Sequence, residues 1–253
     1  MENNCGKIFI VGIGPGNVDE ITPKARKFIE AADVIVGYKT YIKLIEEIIG
    51  GKKILASGMR QEIQRAQIAV DEAQKNLNVA VISSGDAGVY GMAGLLIEMI
   101  LNLPENLQPK IEIAAGVSAL NSAAAILGAP LMHDFAVISL SDLMTPFELI
   151  KKRVKLAAEG DFVIALFNPK SKSRVTHINE VQKILLDFRA GTTPVGIVTN
   201  AGRVDEHKII STLENFVDEE INMFTLVLIG NSQTFVKGDY MITPRGYDLG
   251  ARS

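Results

Sequence analysis

The chain has 253 residues, of which 47% are hydrophobic and 22% charged, a composition that supplies a packed core and is unlike that of a disordered chain. One large α/β domain or two modest ones fit this length. The formal net charge of −3 gives no overall basic field, which argues against a nucleic-acid partner. The single cysteine, Cys5, cannot form an intramolecular disulfide. We therefore expect a globular protein of a reducing compartment, by default the cytoplasm.

No stretch of the sequence is typical of a secretion signal or a membrane anchor. The first residues carry Glu2 and Cys5 where a signal peptide has cations and then an apolar run. The most apolar stretch, 92–103, is interrupted by Glu98 and Asn102. We expect no membrane partner.

The first half of the chain alternates short apolar runs with amphipathic segments. The runs predict strands at 7–12, 34–36, 79–82 and 111–114, and the segments predict helices at 22–32, 62–77 and 91–101. Thr22 is placed to cap the first helix, with Pro23 in its first turn. Ile63, Ala66 and Val70 would share the apolar face of the second helix. Because continuous apolar runs are typical of strands covered on both faces, this half predicts a mainly parallel sheet.

The second half of the chain has more strands per helix. It predicts strands at 135–140, 162–167, 194–199, 208–212 and 225–229, with helices at 119–127, 146–158 and 175–188. This pattern indicates a second, more mixed α/β domain. We place the domains at residues 1–114 and 115–253.

A glycine-rich loop, Gly12-Ile13-Gly14-Pro15-Gly16-Asn17, follows the first strand. A dinucleotide fingerprint would have glycine at the sixth position, where this chain has Asn17. The helix also begins only near Thr22, so a pyrophosphate would lack the helix N-terminus that binds it. The loop is therefore either a tight turn that uses glycine for positive φ, or a place where the backbone approaches a different ligand.

A second small-residue cluster, 83–91, follows the strand at 79–82. Within it Asp86 could accept hydrogen bonds from an ammonium group or from ribose hydroxyls, or it could be the N-cap of the next helix. Further strand ends carry small or amide residues at 116–119, 167–169, 199–202 and 229–232. Although turns favour such residues in any case, together they indicate a small-molecule cleft between the two domains.

The sequences GIGPG at 12–16, SSGDAGVYGM at 83–92 and GVSA at 116–119 resemble those of the tetrapyrrole methyltransferases. The resemblance runs from Lys7 to about Thr234. It implies two α/β domains with a cofactor cleft between them, a fold unlike the common Rossmann methyltransferases. It also implies S-adenosyl-L-methionine as the methyl donor, with S-adenosyl-L-homocysteine as product, no metal, and a homodimer.

Longer strings are similar to one branch of that family. They are GDAGVYGM at 85–92, HDFAVISLSDLMTP at 133–146 and ALFNPKSKSR at 165–174. Ala87 stands where the family commonly has proline, which agrees with this branch. The branch methylates C17 of precorrin-3B or cobalt-precorrin-3, with ring contraction, in cobalamin biosynthesis. The resemblance therefore implies an S-adenosylmethionine-dependent methyltransferase acting on a tetrapyrrole.

Carried over position by position, the resemblance implies a set of cofactor contacts. They are Pro15, Gly85, Asp86, Ala87, Val89, Tyr90, Gly91, Ser118, Ala119, Phe167, Ala201 and Gly230. Small residues and one carboxylate suit a donor whose amino-acid end needs backbone N–H groups for its carboxylate and an acceptor for its ammonium.

The implied substrate carries several acetate and propionate arms, which need cationic partners. Lys39, Arg60 and Arg174 are our candidates, although any one of them could be a solvated surface cation. His133 is the candidate proton-transfer group for ring contraction, or else a structural residue beside Asp134. We interpret His177 and His207 as surface residues.

Two other hypotheses remain open. A methyltransferase of the same fold could act at another ring position or on a protein or RNA target. A nucleotide-binding module without catalysis could also have a glycine-lined cleft.

Overall fold

A computed structural model describes residues 5–248. The chain divides into two compact units, the first ending at Ala119 and the second beginning at Leu120. Residues 115–119, which the sequence assigned to the second domain, therefore fall in the first unit. Within residues 5–248 no helix combines the length and the apolar character needed to cross a bilayer.

The first unit is built on a five-stranded, wholly parallel sheet in the order β3-β2-β4-β1-β5. Its strands are β1 (Lys7–Gly12), β2 (Val34–Tyr38), β3 (Lys53–Ser57), β4 (Val79–Ser83) and β5 (Lys110–Ala114). Its helices are α1 (Pro23–Ala31), α2 (Lys39–Lys43), α3 (Glu62–Ala73) and α4 (Ala93–Leu101). Short 3-10 helices lie at Val18–Glu20, Glu46–Ile48 and Glu105–Leu107. The predicted parallel sheet is confirmed.

Alternate residues of the central strands pack on opposite faces of this sheet. Ile8 and Ile10 of β1 join one core cluster with residues of α3 and α4. Phe9 and Val11 join another with residues of α1 and α2. The predicted cap of α1 is also confirmed, because the Ala25 N–H donates to Thr22 Oγ1 at 3.2 Å.

The sequence reading missed β3, for a physical reason. It is one of the two edge strands of the sheet, and most of its residues are exposed. Lys52 precedes it and Lys53 begins it, a composition that protects an edge from further pairing but hides it from an apolar-run search.

The second unit has a mixed five-stranded sheet in the order β10-β9-β11-β8-β7. These strands are β7 (Phe135–Ser139), β8 (Val163–Phe167), β9 (Pro194–Thr199), β10 (His207–Thr212) and β11 (Thr225–Ile229). A small sheet joins β12 (Phe235–Lys237), β13 (Tyr240–Ile242) and β6 (Gly128–Ala129). The helices are α5 (Ala119–Leu127), α6 (Phe147–Glu159), α7 (His177–Leu186) and a 3-10 turn at Phe216–Asp218. Residues of α5 cover one face of the main sheet, and residues of α6 and α7 cover the other.

Strand direction decides which loops share an edge of this second sheet. β7 and β8 are parallel, whereas β11 is antiparallel to both of its neighbours, β8 and β9. The carboxyl ends of β7, β8 and β9 therefore lie at one edge. The loop after β11 lies at the opposite edge. The loop at 229–232 thus does not share an edge with the loops at 167–169 and 199–202, with which the sequence grouped it.

Candidate active site

Three loops meet at the carboxyl edge of the first sheet, because β1 lies between β4 and β5 and all three are parallel. The loops after β1 and β4 are joined by two backbone hydrogen bonds. The Gly14 N–H donates to the Gly85 carbonyl at 3.1 Å, and the Gly85 N–H donates to the Gly14 carbonyl at 2.7 Å. Both glycines have positive φ, +77° and +64°. The tight-turn interpretation of the first glycine loop is thus confirmed at Gly14.

The third loop, after β5, approaches the other two so closely that no side chain fits. A Cβ added to Gly116 would lie 2.2 Å from the Gly85 carbonyl oxygen, and one added to Gly12 would lie 2.7 Å from the Gly116 nitrogen. Distances under 3 Å are steric clashes. These glycines are required by contact between backbones, whatever ligand the loops hold.

Asp86 ties the second loop to the third. Its Oδ1 accepts a hydrogen bond from the Gly88 N–H at 2.8 Å, and its Oδ2 accepts one from the Gly116 N–H at 3.0 Å. The alternative interpretation of Asp86 as a helix N-cap is wrong, because α4 begins at Ala93 and Met92 is its N-cap. Asp86 instead fixes the distance between two strand-end loops.

The outer surface of these loops has the properties that a polar small molecule needs. Residues 88–91 are exposed, and Tyr90 has a φ of +53°. Ser118 and Ala119 are half-buried at the start of α5, where first-turn N–H groups lack partners inside the helix. A carboxylate is a suitable partner for such groups. The chain's residues therefore fit the amino-acid end of S-adenosylmethionine.

Arg65, which the sequence reading did not single out, is buried beneath this edge. Its Nε donates to Ser57 Oγ at 2.8 Å and its Nη2 to the Gly58 carbonyl at 2.9 Å, while its Nη1 lies 3.6 Å from Met92 Sδ. It thus joins the loop after β3 to the end of the second glycine cluster. Burial lowers the pKa of Arg65, although Glu62 acts in the opposite direction, and a guanidinium still remains charged.

The face of α3 had been predicted differently. Ile63 is exposed, whereas Arg65 is buried together with Ala66 and Val70. The predicted face was therefore wrong at Ile63, because helical spacing admits two neighbouring faces and only tertiary packing selects between them.

Two of the three predicted substrate-binding cations lie at this same edge. Lys39 directly follows β2 and is exposed. Arg60 follows β3, is exposed and has a φ of +61°. Its turn is closed by a hydrogen bond from the Gly58 N–H to Gln61 Oε1 at 2.6 Å. Parallel strands bring both cations to the edge that carries the glycine loops.

In the second unit, Phe167 ends β8 and Ala201 follows β9, so both lie at the carboxyl edge of that sheet. Gly230 lies at the other edge, where its N–H donates to the Pro194 carbonyl at 2.9 Å. A Cβ there would be 2.6 Å from Thr234 Cβ, so packing against Thr234 explains the glycine.

His133 also lies at the amino edge of the second sheet, two residues before β7. Its side chain is 50% exposed, its Nδ1 accepts a hydrogen bond from the Asp134 N–H at 2.9 Å, and Asp134 Oδ2 is 3.8 Å away. These contacts suit the structural alternative. Its predicted role in proton transfer has no support from position.

The other histidines differ from each other. His207 is exposed, in agreement with the surface interpretation. That interpretation is wrong for His177, whose side chain is only 17% exposed. Its Nε2 lies 3.0 Å from Asp142 Oδ2, and its ring centroid lies 3.9 Å from that of Phe147.

An α/β fold with a five-stranded sheet in each of two units, and with glycine-rich loops joined at the carboxyl edge of the first sheet, defines this class of protein. Residues 7–217 match the family described as Tetrapyrrole (Corrin/Porphyrin) Methylases. The chain belongs to that family.

Two relatives and one solved structure are similar to this chain over nearly its whole length. A cobalt-factor III methyltransferase of Priestia megaterium is 49% identical over 244 residues, which are 96% of this chain but 45% of that protein. The chain thus spans under half the length of that relative. A probable cobalt-factor III C(17)-methyltransferase of Salmonella typhimurium is 45% identical and is covered over 99% of its length, with 95% of this chain. The crystal structure of the methyltransferase CobJ superposes with a TM-score of 0.88 at 36% identity, covering 94% of this chain and 100% of the other.

The close backbone contacts generate a prediction about stability. Gly116→Ala should destabilise the fold by about 1–3 kcal/mol, because its Cβ overlaps the Gly85 carbonyl. Denaturant unfolding measures the change. Gly94→Ala is the matched control, since the position lies in α4 with open space around it and the same substitution should stabilise by about 0.5–1 kcal/mol. Equal effects at both positions would contradict the packing argument.

Proposed function

We propose that this protein is an S-adenosylmethionine-dependent methyltransferase acting on C17 of a precorrin-3B or cobalt-precorrin-3 type tetrapyrrole, with associated ring contraction, in cobalamin biosynthesis. Membership of the methylase family supports methyl transfer as the reaction class. The names of the Salmonella typhimurium relative and of the CobJ structure support it as well. The observation that carries the proposal is the junction of three glycine loops at one sheet edge, made by the Gly14–Gly85 backbone bridge and by the hydrogen bond from Gly116 to Asp86. We also propose a homodimer in the cytoplasm, as the family resemblance implies.

The donor would be held by the loops of the first unit. The proposed contacts there are Pro15, Gly85, Asp86, Ala87, Val89, Tyr90, Gly91, Ser118 and Ala119. A carboxylate has about four acceptor sites, and two of those on Asp86 are used by Gly88 and Gly116, so capacity remains for an ammonium group. Phe167 and Ala201 remain proposed contacts, whereas Gly230 is not proposed because it lies at the other edge of its sheet.

The donor supplies a methyl group that its sulfonium has already activated. What remains for the chain is to hold the acceptor carbon in line with that group and to exclude water. Loops fixed by backbone contacts suit this task, because a small displacement of the reacting atoms costs rate steeply. Lys39 and Arg60 would bind carboxylate arms of the ring.

The product distinguishes this proposal from the alternatives. The protein is incubated with precorrin-3B or the cobalt-containing ring and a donor labelled in its methyl carbon, and the labelled carbon is located by NMR. A label at C17 supports the proposal. A label at another ring carbon would indicate another member of the family, and donor binding without transfer to any ring would indicate a binding module.

Asp86 should be needed for donor affinity. Asp86→Ala removes a charged acceptor, one hydrogen bond within its own loop and one hydrogen bond to the loop after β5, so donor affinity should fall by about 1–3 kcal/mol, roughly 5- to 150-fold. Calorimetry measures this directly. Asp71→Ala, at an exposed position of α3, is the control and should bind normally. Unchanged affinity of Asp86→Ala would remove Asp86 from the proposed site.

Arg60 should contribute to binding of the tetrapyrrole ring and not to binding of the donor. Arg60→Gln should raise KM for the tetrapyrrole about three- to tenfold and leave donor affinity unchanged, and added salt should weaken the wild type in the same way. Steady-state kinetics at two ionic strengths measure both effects. Arg153→Gln, on the exposed side of α6, controls for the loss of a positive charge. If both variants behave alike, Arg60 is a solvated surface cation.

His133 gives a test of its two alternative roles. Its position at the amino edge favours the structural role, so His133→Asn should leave kcat within about twofold of wild type. A large fall in kcat at unchanged KM, with a methylated but uncontracted ring among the products, would instead establish proton transfer.

A further inference from the structure

Asp142 is the centre of a cluster at the carboxyl edge of the second sheet. It lies in the loop between β7 and α6, and its carboxylate faces two cationic or polar side chains from another part of the chain. Oδ2 is 3.0 Å from His177 Nε2, and Oδ1 is 3.6 Å from Arg174 Nη1. The carboxylate thus connects the loop after β7 to the segment that enters α7.

A second set of contacts fixes the loop after β8 to the same place. The buried Arg174 donates from Nη2 to the Asn168 carbonyl at 2.9 Å, and Asn168 Nδ2 donates to Ser139 Oγ at 3.0 Å. The Leu140 N–H also donates to the Phe167 carbonyl at 2.9 Å. These hydrogen bonds therefore hold the loops at 139–146 and 168–174 together. Arg174, predicted to bind substrate, is buried, and its guanidinium contacts both of these loops.

The hydrogen-bond pattern defines the state of the cluster. His177 Nδ1 is buried and, among residues 5–248, no hydrogen-bond partner reaches it. A proton on Nε2, donated to the Asp142 carboxylate, is the arrangement that suits these contacts. Burial of the Asp142 carboxylate opposes ionisation, yet the hydrogen bond with His177 and the charge of Arg174 hold the pKa of Asp142 below its usual value.

The cluster presents two kinds of exposed side chain. Leu143 and Met144, directly after Asp142, are 65% and 93% exposed. In the neighbouring loop, Ser171 and Arg174 exchange two backbone hydrogen bonds, which close a tight turn with the exposed Lys172 inside it. Two adjacent large apolar side chains with this exposure form a surface that a ligand could cover. Lys172 lies in the other of the two loops that these hydrogen bonds connect.

We propose that the Asp142 cluster is a positioning device for the tetrapyrrole, with Leu143 and Met144 contacting the apolar ring and Lys172 a carboxylate arm. The inference rests on the proposed function and deepens it. The apolar side chains of Leu143 and Met144 and the charge of Lys172 complement a flat apolar ring that carries carboxylates. Held by Asp142, the two loops meet the ring in a fixed arrangement, so that less ordering free energy is lost on binding.

Leu143→Gln and Met144→Gln test the proposed contact of these two side chains with the tetrapyrrole ring. Each should raise KM for cobalt-precorrin-3, and its Kd measured by absorbance titration without the donor, by about three- to tenfold, while donor affinity is unchanged. Leu101→Gln is the matched control, because Leu101 is 64% exposed at the far end of α4. If the Leu143 and Met144 variants match the control in Kd, the contact is refuted.

Asp142→Asn and His177→Gln test whether the Asp142 cluster holds the two loops in position. Both should raise Kd for the ring and speed amide hydrogen exchange of residues 141–146, whereas exchange in the loops of the first unit should be unchanged. A smaller effect is expected for His177→Gln, because the amide can still donate to Asp142. Unchanged exchange at 141–146 in Asp142→Asn would refute the device. Because ring binding and exchange need no turnover, failure of methyl transfer in the wild type would overturn only the proposed reaction.

Discussion

The candidate site depends on the close approach of three strand-end backbones in the first unit. β1 lies between β4 and β5, so the loops that follow these strands must pass through the same small volume. Gly12 and Gly116, where no Cβ fits, and Gly85, with a φ of +64°, make this possible, and Asp86 holds the outer two loops together through the Gly116 N–H. The proposed donor site would consequently consist largely of main-chain groups, which cannot change rotamer. Such a surface is organised before the ligand arrives, which reduces the entropy lost on binding.

Strand direction decides what else can join each site. In the first unit every strand is parallel, so Lys39 and Arg60 reach the same edge as the glycine loops without any sequence proximity to them. In the second unit the antiparallel β11 sends Gly230 to the opposite edge from Phe167 and Ala201. Parallel strands therefore bring these residues to one edge in the first unit, whereas the antiparallel strand separates them in the second.

Buried arginines perform a similar task in both units. Arg65 donates to the carbonyl of Gly58, and Arg174 donates to that of Asn168, so each holds a loop at the carboxyl edge of its own sheet. A guanidinium suits this role because its several fixed donors can satisfy carbonyl and hydroxyl oxygens on separate segments. Removing either side chain would take this donor away from the carbonyl oxygen of a half-buried residue, which weakens the hold on the loop.

The sequence by itself determined the α/β class, the parallel sheet of the first unit, the cap of α1 and the two glycine clusters. These features follow from local periodicity, turn chemistry and short motifs, all of which are written in neighbouring residues. The tertiary fold was needed to show that Asp86 bridges two loops, that Arg65 is buried and His177 half-buried, and that Gly230 and His133 lie away from the carboxyl edge. The reason is physical: burial and proximity depend on strand order, strand direction and the choice of helix face, which are set by packing among segments far apart in the chain.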